Sequence, residues 1–334
     1  MSYETGTATS PGNLLSKLFD FAGSNGWTID LDISTGAESP AYGTMHKGDS
    51  YTSFIWFDDT IKIYSSRGYT VGEVPGSHPD SANDDSSGNK TTGQTVNAIN
   101  GPYAAYHFFH DESVVDYIHV VINIDGQRHR HFGFGEMVKI GNWTGGQYSY
   151  GHFWSQSSNT VNSPLTATHK AAFDGGYFSQ SATLGMTFYA RANSGDPLQG
   201  NPRPNVRWYA EGISNAGSLF DGNGFNVGSG VVNGTRGGYT SQLLMIGSSS
   251  FNAFVALCPV TIGYRNIITG TDSIRMLGSI ADVRACNMNN LAIGGEYTIG
   301  SDTWITFPLT RLGTTTDSST EASGSCGIAY RRII

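Results

Sequence analysis

Charge is the first thing this 334-residue chain has little of. Asp, Glu, Lys and Arg make up 14% of it, against about 25% in ordinary soluble domains. What charge there is leans acidic, with a formal net charge of −8, which argues against general binding to nucleic acid or to an anionic membrane surface. Cysteine is nearly missing. Cys258, Cys286 and Cys326 lie far apart and form no CxxC pair, so a disulfide framework is excluded and buried reduced thiols are expected. Long apolar runs are missing too: "FNAFVALCPVTIGY" is broken by Asn252 and Pro259 and is too short for a bilayer. The opening "MSYETGTATSPG" has no basic stretch followed by an apolar core, so the chain reads as soluble, cytoplasmically made and without a signal peptide.

Catalytic signatures are also lacking. The chain carries no G-x-S-x-G elbow, no P-loop, no H-E-x-x-H and no dinucleotide-binding glycine fingerprint. Its acidic doublets, Asp58-Asp59, Asp84-Asp85 and Asp111-Glu112, point to opposite faces of a strand and make no glycosidase pair by themselves. The expectation is therefore no catalytic residue, no cofactor and no enzyme.

What is abundant is glycine, 44 residues, with Ser, Thr, Asn and aromatics beside it. That mixture suits strands joined by many turns. One helix is predicted in "SPGNLLSKLFDFAGSNGWT", where Leu14, Leu15, Leu18, Phe19 and Ala22 recur at helical spacing. Ser10-Pro11 starts it, and Gly23 or Gly26 ends it. Short β-type runs fill the rest, among them "TSFIWFDDTIKIYSS", "ATLGMTFYARA", "NVRWYAEGI", "SQLLMIG" and "EYTIGSDTWITFP". The fold class expected is mainly β, a β-sandwich or open barrel with an N-terminal amphipathic helix and long polar loops. Residues 1–70 hold the helix and first strands, and 102–334 form the main β domain, or one continuous domain with 1–70. Between them, Val71–Gly101 is poor in apolar residues and reads as a flexible loop, or as an arm that orders against a neighbouring subunit. "NPRPN" (Asn201–Asn205) and the glycine-rich Ser218–Gly238 read as further loops.

Chemistry-bearing residues concentrate in "IHVVINIDGQRHRHFGFGEMVKIGNWTGGQYSYG", Ile118–Gly151. Asp125-Gly126 between two β-rich runs signals a hairpin. A two-residue turn there sets Ile122 opposite His129 and Val120 opposite His131. His129 and His131 then share one half-buried face, while Arg128, Arg130 and His119 share the other. Two same-face imidazoles fall short of a metal's ligand set, so no metal is expected. "RHFGFGEMVK" has some likeness to a base-stacking RNA strand, but its partner strand and a βαββαβ layout are missing, so no direct nucleic-acid contact is expected. Trp143, Tyr148, Tyr150, Phe153 and Trp154 follow the hairpin. Trp143, Tyr148, Tyr150 and Trp154 are candidates for a subunit interface or for stacking on a host-surface glycan, with core packing as the alternative. His129 and His131 are candidates for a subunit interface.

Three segments carry a resemblance. They are "NGWTID" (Asn25–Asp30) at the end of the helix, "RHRHFGFGEMVKIGNWTGGQYSYG" (Arg128–Gly151), and the C-terminal series Leu277–Arg311 closing on "GIAYRRI". In these the chain resembles virion structural proteins of tailed bacteriophages, of the tail or baseplate-associated type. The resemblance covers about a third of the chain and brings no catalytic residue with it. It implies a homo-oligomeric component of a symmetric particle, assembled in the host cytoplasm, whose partners are copies of itself and other virion proteins. Other functions weighed are a head-surface decoration protein and a carbohydrate- or host-surface-binding module.

Overall fold

A polar N-terminal heptapeptide, "SYETGTA", forms the first strand, β1 (Ser2–Ala8), ahead of the helix that was expected to open the chain. In this computed structural model the residues described are 2–34, 41–57, 60–75, 77–79, 94–96, 99–153, 183–191, 208–212, 225–227, 257–266, 273–288, 291–310 and 323–332. The Ser241–Gly247 run and the Asn201–Asn205 loop fall outside them.

Helix α1 (Pro11–Ser24) follows β1 and matches its sequence pattern. Ser10 is the N-cap, its Oγ accepting the Asn13 N–H at 3.1 Å, and Pro11 sits in the first turn, where no amide is needed. Leu14, Leu15, Leu18, Phe19 and Ala22 are all buried, and Gly26 follows the last turn at φ +78°. A five-stranded antiparallel meander comes next: β2 (Thr28–Asp32), β3 (Ala41–Lys47), β4 (Ser50–Phe57), β5 (Thr60–Ser66) and β6 (Gln94–Val96). Strand β6 lies inside the stretch expected to be loop throughout. It pairs with Ile61–Ile63 of β5 and buries Val96. Residues 80–93 of that stretch are outside the described residues.

The chain then builds β7 (Tyr103–Asp111), β8 (Tyr117–Asn123) and β9 (His129–Glu136), steps out through the short β10 (Val138–Lys139), and returns as β11 (Thr144–Phe153), β12 (Thr183–Arg191) and β13 (Trp208–Gly212). With β1 these make a central seven-stranded sheet of order β1-β7-β8-β9-β11-β12-β13. A second flanking sheet holds β14 (Phe225–Val227), β15 (Cys258–Asn266), β16 (Ser273–Asn287), β17 (Glu296–Ile299), β18 (Asp302–Thr310) and β19 (Ser323–Arg332), in the order β14-β15-β16-β19-β18-β17. Strand β10 pairs with β16. The protein is mainly β, its sheets are antiparallel, and none of the three closes into a barrel among the described residues.

Strand alternation gives the central sheet two unlike faces. One presents Tyr106, Phe108, Ile118, Val120, Ile122, Phe132 and Phe134, which join α1, Met45, Phe54, Ile61, Ile63 and Val96 in a single apolar core. Phe54 of the meander meets Phe132 and Phe134 edge-on, with centroids 6.3 and 5.3 Å apart. A smaller core under β17–β18 holds Met288, Leu291, Trp304 and the buried Cys286 thiol, which donates to Met288 Sδ at 3.8 Å. The side chains of Cys258 and Cys326 are outside the described ones. Among the described residues no helix is long and apolar enough to cross a membrane.

Candidate functional site

The predicted hairpin is present, but its turn is one residue longer than Asp125-Gly126. The Ile124 N–H donates to Arg128 O at 2.8 Å, which leaves Asp125, Gly126 and Gln127 as the loop. Asp125 Oδ1 accepts the N–H groups of Gln127 (3.1 Å) and Arg128 (2.8 Å), and Gly126 takes φ +89°. His129 therefore lies opposite Asn123, and His131 opposite Val121. A one-residue slip turns a strand over. The expected pairing of Ile122 with His129 and Val120 with His131 is corrected accordingly. So is the place of His119, which sits opposite Gly133 on the same face as His129 and His131. Arg130 is on the other face, as expected, and is fully buried.

The histidine face was expected to be half-buried. It is closed over by the second flanking sheet, and His119, His129 and His131 are all buried. His119 Nε2–H donates to Ala281 O of β16 at 3.0 Å, and its Nδ1 meets the Tyr150 hydroxyl at 3.0 Å. His131 Nε2–H donates to Pro308 O of β18 at 2.9 Å, and its Nδ1 meets the Tyr330 hydroxyl of β19 at 2.9 Å. A carbonyl oxygen can only accept, so both imidazoles carry their proton on Nε2. His129 Nδ1 bonds Gln127 O at 3.1 Å, and its ring lies 5.7 Å from Phe307. His107 of β7 completes the face, 4.7 Å from the Phe307 ring and bonded to the Tyr3 hydroxyl at 2.8 Å. Burial pushes His119 and His131 down to about 3, and His107 and His129 to about 4. All four are neutral at pH 7.

The repeat "FGFG", Phe132–Gly135, has its explanation here. Its phenylalanines enter the apolar core, and its glycines leave room on the polar face. A Cβ on Gly133 would stand 2.5 Å from His119 Nδ1 and 2.6 Å from the Tyr150 ring. Gly135, at φ +132°, would bring a Cβ within 2.3 Å of Asp116 O. Only glycine lets β9 pass beneath those rings.

An ionic group sits at one end of this layer. The register between β15 and β16 slips between the Pro259–Arg284 and Thr261–Ser279 pairs, and Asp282 within that slip takes φ +54°. Its carboxylate accepts the Tyr117 hydroxyl at 2.6 Å and Arg331 Nη1 at 2.9 Å. Arg331 also reaches Asp302 (3.4 Å) and the buried Asp111 (3.8 Å). Burial, reinforced by the Asp282 charge, pushes the Tyr117 phenol well up. Asp favours the left-handed region more than most residues do, and here the two donors fix it there.

Trp143, Tyr148 and Tyr150, candidates from sequence for an interface or a glycan with core packing as the alternative, are buried within the chain. Tyr148 and Tyr150 stack in parallel at 6.2 Å under the second flanking sheet, and Lys139 Nζ lies over the Trp143 ring at 5.6 Å. These three rings offer no open surface to a sugar. Trp154 is outside the described residues, as is the Phe153 side chain. Tyr117, His119, Phe307, Tyr330, Asp282 and Arg331 belong to the layer and were missed from sequence. The alternation Tyr117-His119-Val121 was the available signal for the first two, had the turn length been known. Among the described residues no three of His, Cys, Asp and Glu converge as metal ligands. No protein-family model and no curated protein matches this chain.

Proposed function

We propose that this protein is a structural component of a bacteriophage virion, tail or baseplate-associated, built as a β-sandwich and working through contacts with copies of itself and with other virion proteins. One observation carries the reading: the segment richest in chemistry-bearing side chains, Ile118–Gly151, is engaged in joining two sheets of its own chain. Its imidazoles are neutral, buried and bonded to backbone carbonyls and phenols, an arrangement that fastens layers together and presents no reactive group to a substrate. The resemblance of Asn25–Asp30, Arg128–Gly151 and Leu277–Arg311 to tailed-phage virion proteins supports the same reading, as does a low-charge composition suited to broad protein contacts. The burial of Trp143, Tyr148 and Tyr150 speaks against a glycan-binding module that uses those rings.

The test is mass spectrometry of gradient-purified particles, with analytical ultracentrifugation of the purified chain. Peptides of the chain in intact particles and a defined homo-oligomer in solution are the expected results. A strict monomer that is absent from particles overturns the proposal. Immunogold labelling on the tail or baseplate separates it from a head-surface decoration protein.

A further inference from the structure

Between the central sheet and the second flanking sheet, four side chains form an unbroken line: His119, Tyr150, Tyr330 and His131. Its three links measure 3.0 Å (His119 Nδ1 to Tyr150 OH), 3.4 Å (Tyr150 OH to Tyr330 OH) and 2.9 Å (Tyr330 OH to His131 Nδ1). Both ends are fixed. Each imidazole donates Nε2–H to a backbone carbonyl, so each Nδ1 turns a lone pair inward. Tyr150 and Tyr330 answer by donating their hydroxyls outward, one to each histidine. No hydrogen is then left for the middle link, where two oxygens face each other through lone pairs. Its length agrees, since O–H···O bonds run from about 2.5 to 3.0 Å.

Three links hold at most three hydrogens, and the neutral line contains two. A proton added at His119 Nδ1 donates to Tyr150. Tyr150 rotates to donate to Tyr330, and Tyr330 still donates to His131. A proton added at His131 runs the same sequence in reverse. A second proton brings four hydrogens to three links, and one link must become donor against donor. We propose that this line is a proton-counting latch, which accepts one proton with every hydrogen bond made and releases the second flanking sheet when the next one enters.

The surroundings suit that role. On the central sheet the line is flanked by His107, Tyr117, Tyr148 and His129 and, across the sheet, by His110 and Arg130, with Asp111 and Asp125 in the surrounding segments. From the opposite side β16 presents the Ala281 carbonyl and Asp282, with the Cys286 thiol on its far face, β18 presents Phe307, the Pro308 carbonyl and Asp302, and β19 presents Arg331. The carboxylates among these are held by Arg331, Arg128 and Ser113, and none reaches an imidazole of the line directly. The meander and α1 contact the other face of the sheet through the apolar core, where His110 bonds the Tyr117 carbonyl of its own sheet and not the meander, so release is confined to the side of the line.

The experiment uses the full chain. Long-range 1H–15N spectra of the imidazoles at pH 7 are expected to show His119 and His131 as neutral Nε2–H tautomers, and an Nδ1–H or charged form at either overturns the latch. Hydrogen exchange is then followed from pH 7 to 3 and corrected for intrinsic rates. Protection in β16, β18 and β19 is expected to fall at least tenfold at a pH where β3–β5 and α1 keep theirs, and only after the first imidazole has charged. Simultaneous opening of both sides, or opening with the first proton, overturns the proposal. His131→Gln keeps a donor and an acceptor but cannot charge, and is expected to move the opening at least one pH unit lower. Opening at the wild-type pH counts against the latch. Should that variant fail to fold, the tautomers and the order of the two steps in the wild-type chain decide the matter.

Discussion

The two faces of the central sheet differ although the same strands make them. On one, Ile118, Val120, Ile122, Phe132 and Phe134 pack on α1 and Phe54 through apolar contact. On the other, His119, His131, Tyr150 and Tyr330 pack through directional bonds. The apolar side is held by area removed from water, which is indifferent to pH and tolerant of small shifts. The polar side depends on each donor meeting an acceptor, and it loses that match when a second proton enters the line or a ring is displaced. A single sheet thus joins a robust layer to a conditional one.

Acid gives the largest effect. The four imidazoles have folded-state values well below the unfolded 6.5, with burial as the main cause. The unfolded chain therefore binds more protons, and stability is full above pH 6.5 and falls as pH drops toward about 4 and 3. Each contributes about 1.4 kcal/mol per pH unit in that window, so four together give up to about 5 kcal/mol per unit. Urea unfolding at pH 7.5, 6.0 and 5.0 measures this, and a flat profile would erase the distinction between the faces. Phe54→Ala empties a site in the apolar layer and should cost about 3–5 kcal/mol by the same assay, with the same loss at pH 7.5 and 6.0. Gly133→Ala forces a methyl against His119 and Tyr150 and should cost about 1–3 kcal/mol. It should also disturb the His119 imidazole resonances while leaving the methyl signals of Ile61 and Ile63 in place. Ser10→Ala removes the N-cap and should lower stability by about 1 kcal/mol, on the apolar side alone, with faster exchange in the first turn of α1.

Local features were legible in the sequence, and features that depend on distant partners were not. The helix could be read because its spacing, its Ser10 cap and its proline all lie within fifteen residues. The hairpin could be read from Asp125-Gly126, but the dipeptide does not encode whether Gln127 joins the turn. Asp125, by accepting two backbone N–H groups, selects the longer loop. That one residue decides which face His119 occupies, and with it the whole composition of the candidate site. Strands β1 and β6 were missed because "SYETGTA" lacks an apolar alternation and "QTV" is only three residues long. Pairing with β7 and β5 makes them strands. The burial of Trp143, Tyr148 and Tyr150 follows from a second sheet contributed by residues far along the chain, which no local pattern announces.

The pairing of β1 with β7 also sets a timetable. Ser2 lies opposite His110, so 110 − 2 = 108 residues separate partners that must meet. At about 5–20 residues per second of ribosomal synthesis, β1 waits roughly 5–20 s for its neighbour to emerge, while α1 and β2–β5 are complete by Ser66. The apolar layer can therefore begin to assemble on the nascent chain. The polar layer needs β16, β18 and β19 and closes later, so the part of the molecule that protons can open is made after the part that they cannot.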